Sequence, residues 1–189
     1  KQAYYLGSLA AVGDAARGAA ERLAGDERAG VRALAVIALA RLPDGTGVDT
    51  LGRLLGDEDQ EVAESAAESL AFIEGDPAAG RAQGLLIEAV VSSESGVSAA
   101  AAAALSRVKS RRAVEALCRA AREHPAPLVR AQAVESLAAV LLAAKGSREP
   151  LPPAAAGSDP VSILVGALDD RATFIGSLSL ERQIAAASA

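Results

Sequence analysis

Short apolar stripes of helical period alternate with polar breaks along this chain. Residues 31–39, 62–70, 97–105 and 129–137 share one pattern. Each begins with valine, has alanine four residues on, and ends with leucine four residues further. On a helix of about 3.6 residues per turn, Val31, Ala35 and Leu39 fall on one face, and so do their counterparts. Val31, Val62, Val97 and Val129 lie 31, 35 and 32 residues apart, the length of a helical hairpin. Each valine is therefore expected to open the second helix of a pair. The first helices are expected over residues 14–24, 48–55, 81–91 and 111–123.

The breaks carry turn chemistry. Residues 43–47 and 75–80 contain the proline, glycine and aspartate that end one hairpin and begin the next. Shorter turns inside hairpins are expected at 25–28, 56–59, 92–95 and 124–127. Ser110, and Ser158 or Asp159, suit helix N-caps. Residues 3–9 repeat the pattern of 33–39, so residues 1–12 are expected to form a second helix whose partner lies upstream. That helix needs cover from upstream chain, a partner or a second copy. Past Ala144 the pattern lapses. Residues 145–160 hold Pro150, Pro152, Pro153 and Pro160 and are expected to form a loop. Pro160 suits the first turn of a helix that resumes at Val161. The organisation expected is a repeat array over 1–144, with a part-repeat at 1–13 and repeats at about 14–42, 48–73, 81–108 and 111–144. An irregular helical repeat follows at 161–189. The fold class is all-α, a right-handed α-α superhelix of about four to five hairpins.

Composition agrees. Hydrophobic residues make up 51% of the 189, yet aromatics only 2%, with no Met or Trp. The apolar content is mainly Ala, Leu and Val, which favours closely packed helices over a sandwich or barrel. The net charge of −5 disfavours nucleic-acid binding by overall charge. One cysteine rules out an intramolecular disulfide and fits a reducing, cytoplasmic setting. No run of 18 uninterrupted apolar residues occurs, so no membrane span is expected.

The second-helix starts resemble the bacterial HEAT-like repeats named after phycobilisome lyases. In that family an Asp is followed by four residues, then Val-Arg, then the Ala and Leu spacing above. Asp26, Val31 and Arg32 match throughout, and Asp57 and Val62 match with Ala63 in place of the Arg. Ser92 and Ser98 flank Val97 where the family has Asp and Arg, and His124 precedes Val129 and Arg130. The resemblance covers residues 1–144 and, less closely, 160–187. It implies a HEAT/armadillo-like solenoid in which Asp26, Arg32, Asp57 and Arg130 tie neighbouring repeats together. It also raises bilin chemistry. A pocket for an open-chain tetrapyrrole needs aromatics and polar anchors, and this chain has only Tyr4, Tyr5, Phe72 and Phe174, far apart.

Candidate chemistry is sparse. One histidine and one cysteine do not make a tetrahedral zinc site, and no cofactor, metal or catalytic set is expected. Phosphate-binding, hydrolase-elbow and zinc-protease motifs do not occur. Cys118 is read as core-facing, with a thiol activated by Arg119 and Arg122 as the alternative. His124 is read as a solvated turn residue.

Surfaces remain. With Val31, Ala35 and Leu39 inward, Leu34, Ile37 and Arg41 point outward. The corresponding sets are Ser65, Glu68 and Phe72; Ala100, Ala103 and Arg107; and Gln132, Glu135 and Ala139, of which Glu68, Phe72, Arg107, Gln132 and Glu135 are candidate partner contacts, with Glu64 beside them. An apolar strip rimmed by charge suits a partner helix or peptide. A basic block from Arg107 to Arg130, with Arg111, Arg112, Arg119 and Arg122, follows an acidic one from Asp57 to Asp76. The expectation is a non-catalytic scaffold for a protein partner. The alternatives are a nucleic-acid module using the basic block and a lyase-type maturation factor with a small-molecule ligand.

Overall fold

Helices fill the chain between its clusters of glycine, proline and aspartate. The computed structural model describes residues 2–145, except 93 and 109, and residues 159–169. Every regular element among the described residues is helical. In order these are α1 (Gln2–Leu23), α2 (Ala29–Ala40), a 3-10 turn (Pro43–Gly45), α3 (Val48–Leu54), α4 (Gln60–Ala71) and α5 (Ala78–Val90). They continue with α6 (Ser95–Leu105), α7 (Arg111–Glu123), α8 (Pro127–Lys145) and α9 (Pro160–Asp169). The chain divides into two compact units, Lys1–Leu85 and Leu86–Ala189.

In the first unit α2 is central, packing against α1, α3 and α4, while α3 also packs on α4. Its core is the expected set of small and branched faces. Ala35, Val36 and Leu39 of α2 meet Leu51 and Leu54 of α3 and Val62, Ala66 and Leu70 of α4, all buried. Alanine at every fourth position lets the helices approach closely, and each buried leucine or valine contributes about 1.5–3 kcal/mol. Two glycines make the link from α2 to α3 fit. Gly45 has φ +64, the left-handed region that favours glycine. At Gly47 a β-carbon would stand 2.4 Å from the Leu39 carbonyl oxygen, so the backbones meet where a side chain cannot.

In the second unit α6, α7 and α9 pack on α8. Val129, Ala133 and Leu137 of α8 are buried with Ala101 and Leu105 of α6, Leu117 of α7 and Leu164 of α9. Over Pro127–Ala144, α8 is long and apolar enough to cross a membrane by length and composition alone. Its buried stripe faces three other helices, and it carries Arg130 and Glu135, so it acts here as a core helix.

Three expectations need correction. α1 runs unbroken from Gln2 to Leu23, with no division near residue 13. A lone Gly13 costs about 1 kcal/mol relative to alanine, and the alanines around it carry the helix through. Gly80, expected in a loop, lies in the first turn of α5, directly after Pro77. α8 begins at Pro127 because proline tolerates a first helical turn. The Pro-rich stretch 146–158 and the C-terminal stretch 170–189 lie outside the described residues.

Gly47→Ala should destabilise the protein by about 1–3 kcal/mol, as forced overpacking does. Gly56→Ala, whose new β-carbon would sit 3.8 Å from its nearest neighbour, should be close to neutral. Urea denaturation followed by far-UV circular dichroism distinguishes the two, and equal midpoints would show that the Leu39 backbone yields freely.

Candidate functional site

The turns hold the second helices in place, and the second helices carry the candidate surface. Each hairpin turn leaves a backbone N–H that the helix cannot satisfy, two residues past the turn's first polar residue. Asp26 Oδ1 accepts the N–H of Arg28 at 3.0 Å, and Asp57 Oδ1 accepts that of Asp59 at 2.9 Å. In the third hairpin Ser92 Oγ accepts the Glu94 N–H at 3.3 Å. In the fourth, His124 Nδ1 accepts the Ala126 N–H at 3.2 Å. Three side-chain chemistries thus do one job at one register.

His124 is therefore not a solvated turn residue: it is 8% exposed, and its Nε2 is buried without a hydrogen-bond partner. It replaces the aspartate as acceptor while its ring fills space beneath the turn. Asp59, which the motif does not mark, caps α4 by accepting from Glu61 and Val62 N–H at 3.0 and 3.2 Å. Ser110 caps α7 and Asp159 caps α9 in the same way.

In three of the four hairpins the residue after the motif valine donates to the turn's carbonyls, whereas Ala63 of the second has no side-chain donor. Arg32 Nη1 donates to the carbonyls of Asp26 and Glu27, both at 3.0 Å. Arg130 Nη1 donates to those of His124 and Pro125 at 2.9 and 3.1 Å. Ser98, in the same position, donates its hydroxyl to the Ser92 carbonyl at 3.0 Å.

Arg32 does one thing more. Its Nε and Nη2 grip both oxygens of Asp57, at 2.8 and 2.7 Å, and Nη2 also reaches Glu58 Oε1 at 3.3 Å. All five guanidinium N–H groups are thereby used. The pair is nearly sealed, with side chains 9% and 6% exposed. The guanidinium holds the Asp57 carboxyl below the usual carboxylate range, although burial pushes the other way. Asp26, bonded by the Arg28 side chain, falls to about 2. The Arg32–Asp57 fork ties the first hairpin to the second and so fixes the register of α2 against α4.

On the outer side of those two helices lie the remaining candidates. Leu34, Ile37 and Phe72 are 64%, 49% and 60% exposed, and Arg41, Glu64 and Glu68 are exposed with them. These six share one unit and lie on α2 and α4, which pack against each other, or, for Arg41 and Phe72, at the caps that end them. In the other unit Arg107 and Glu135 are exposed and Gln132 is half-buried. Arg111 and Arg122 of the basic block pair with Glu115 and Glu123 at 2.7 and 3.7 Å. Cys118 is fully buried, and burial pushes its thiol up to about 11 despite Arg122. That is the opposite of an activated nucleophile.

A cleft of about 530 Å³ opens at the turn end of the first unit, lined by residues that include Glu21, Glu27, Arg32, Arg53, Asp57 and Glu58. Of its two cations, Arg32 is saturated, and Arg53 donates to Thr50 Oγ1 at 2.9 Å. Among the described residues no aromatic lines it. Among the described residues, no three of His, Cys, Asp and Glu cluster in a way that could hold a metal ion.

Comparison with known proteins bears on this arrangement. A family model described as HEAT repeats matches residues 16–82 and 79–138. Two crystal structures of engineered proteins from the Northeast Structural Genomics Consortium are similar in fold, each 22% identical to this chain. The first has a TM-score of 0.53 and covers 89% of this chain and 76% of that one. The second has a TM-score of 0.51 and covers 89% of this chain and 46% of that one. No curated protein matches the chain.

Asp57→Ala would strand a buried guanidinium and should lower the thermal midpoint more than Asp59→Ala, the loss of a cap worth about 1 kcal/mol. The pair also predicts acid sensitivity. Because the folded state holds the Asp57 pKa below its ordinary value of 3.8, its contribution is present above that value. It is lost as pH falls through the folded pKa. Between about pH 5 and about pH 2 the native chain should lose more stability than Asp57→Asn. Parallel acid curves would deny the pair this role.

Proposed function

Because this chain belongs to the HEAT-repeat family, we propose that it is a non-catalytic scaffold holding a protein partner on the outer face of its second helices. Its fold is all-helical, of the α-solenoid class. Repeat arrays of this class work through extended surfaces more than through pockets. One observation carries the reading: Leu34 and Ile37 stand exposed on α2, and Phe72 stands exposed at the C-terminal cap of the adjoining α4. A protein gains nothing in stability from large apolar groups held in water, and clustered ones mark interaction sites. The acidic column beside them on α4 supplies a polar rim.

The turn pattern of Asp26, Val31 and Arg32 supports the finer grouping with phycobilisome-lyase-type HEAT repeats. It does so as shared turn chemistry, since the polar, aromatic-free cleft offers nothing that would stack on a tetrapyrrole. A single cysteine, Cys118, buried in the core, is in keeping with a cytoplasmic setting.

A photo-crosslinking side chain placed at Leu34 or Phe72 of the full chain should give discrete protein adducts in its native extract, while one at Arg119 should not. Leu34→Ser with Ile37→Ser should weaken the captured partner at least tenfold, or about 1.4 kcal/mol. Adducts only at Arg119, or adducts with nucleic acid, would move the function to the basic helix α7.

A further inference from the structure

Three side-chain chemistries close the four turns at one register, and only one of them can be switched off near neutral pH. The Asp57 carboxyl is held below the usual carboxylate range and that of Asp26 falls to about 2, so both keep their lone pairs well into acid. The Ser92 hydroxyl does not titrate there at all. His124 differs, and it is the chain's single histidine. Its Nδ1 accepts the Ala126 N–H at 3.2 Å, so Nδ1 carries a lone pair and the ring proton sits on Nε2. That Nε2 is buried and has no hydrogen-bond partner.

We propose that His124 is an acid-operated latch on the α7–α8 turn. A proton from solvent, added to Nδ1, takes up the lone pair that holds the Ala126 N–H. The imidazolium then has two N–H donors and no acceptor. One donor points at another donor, and the other stays sealed at Nε2. The charged groups on the helices packed with α7 and α8 do not offset this. Arg122 and Glu123 of α7 pair with each other at 3.7 Å. Asp159, at the head of α9, accepts the N–H groups of Val161 and Ser162 at 3.3 and 3.0 Å. Glu94, at the N-cap of α6, is exposed. Arg130 of α8 brings a positive charge to the same turn through the carbonyls of His124 and Pro125, and a like charge beside it is disfavoured. The proton is accommodated only by breaking the Ala126 bond and letting the ring reach water. What loosens is the start of α8, where Pro127 opens the helix and Val129 is buried in the core. Because α8 packs against α6, α7 and α9, acid weakens the second unit. The first unit's turns, closed by Asp26 and Asp57, hold through the same range.

The test compares urea unfolding of the full chain with that of His124→Asn, at about pH 7.5 and about pH 5.5, on either side of the point where an unfolded histidine gains its proton. Far-UV circular dichroism follows both. The asparagine carbonyl can accept the Ala126 N–H and does not titrate. In the native chain the unfolded state takes up the extra proton, so stability is lost as pH falls. Between the two pH values its unfolding equilibrium constant should rise about fivefold to about tenfold more than that of the variant. Nitrogen-15 NMR of the native chain supplies a readout that needs no variant, because the chain has one imidazole. At about pH 7.5 its proton should sit on Nε2. Equal rises in the two chains, or a larger rise in the variant, would overturn the latch. A proton on Nδ1 would overturn the bond on which the latch rests. Should His124→Asn fail to fold at the higher pH, His124→Asp, the residue this register holds at Asp26 and Asp57, takes its place with the same outcomes.

Discussion

A helical hairpin with a short turn strips several backbone N–H and carbonyl groups of partners just where both helices must be buried against neighbours. In this chain a side chain in the turn takes the stranded N–H, and a side chain on the second helix takes the stranded carbonyls. Asp26 and Arg32 do this in the first hairpin, Ser92 and Ser98 in the third, and His124 and Arg130 in the fourth. Leaving such groups unmade would cost about 1–3 kcal/mol each, comparable to the burial of a whole leucine side chain. The hydrophobic faces can pack as they do because the turns between them have been closed chemically.

Arg32 extends the same device from one hairpin to the next. A guanidinium planar and rigid enough to serve two carbonyls with one edge and a carboxylate with the other leaves little freedom for α2 to slide on α4. Register set on the inside becomes register on the outside. Leu34 and Ile37 stand beside the glutamate column of α4 because the helices that bear them are pinned a few ångströms away. A buried ion pair is weak evidence for net stability, but it is well suited to specifying one alignment among several.

The helices and their inward faces were legible because valine, alanine and leucine recur at intervals that only a helix brings together, as Val62, Ala66 and Leu70 do. The outward positions of Leu34, Ile37 and Phe72 follow from the same periodicity. The Arg32–Asp57 contact, 25 residues apart, could be read only by aligning the turns and invoking a family. His124 misled because turn position suggests solvent, whereas its ring replaces an aspartate in a role that needs only a lone pair at the right distance. The unbroken course of α1 through Gly13 was not legible, because the repeat pattern divides the chain there while the alanine-rich surroundings carry the helix past the glycine. The special need at Gly47 depends on how near the Leu39 carbonyl passes, and no local pattern records that.

Cys118 is the chain's single cysteine, and it lies wholly within the packed interior with its thiol held protonated at neutral pH. For chemical purposes the surface is therefore already thiol-free. A cysteine introduced at any exposed position would be the one group open to alkylation by a dye or spin label, since only thiolates in reach of reagent react quickly. Distances across this protein are thus open to spectroscopic measurement, two sites at a time, without first removing a native residue and disturbing the core that holds it.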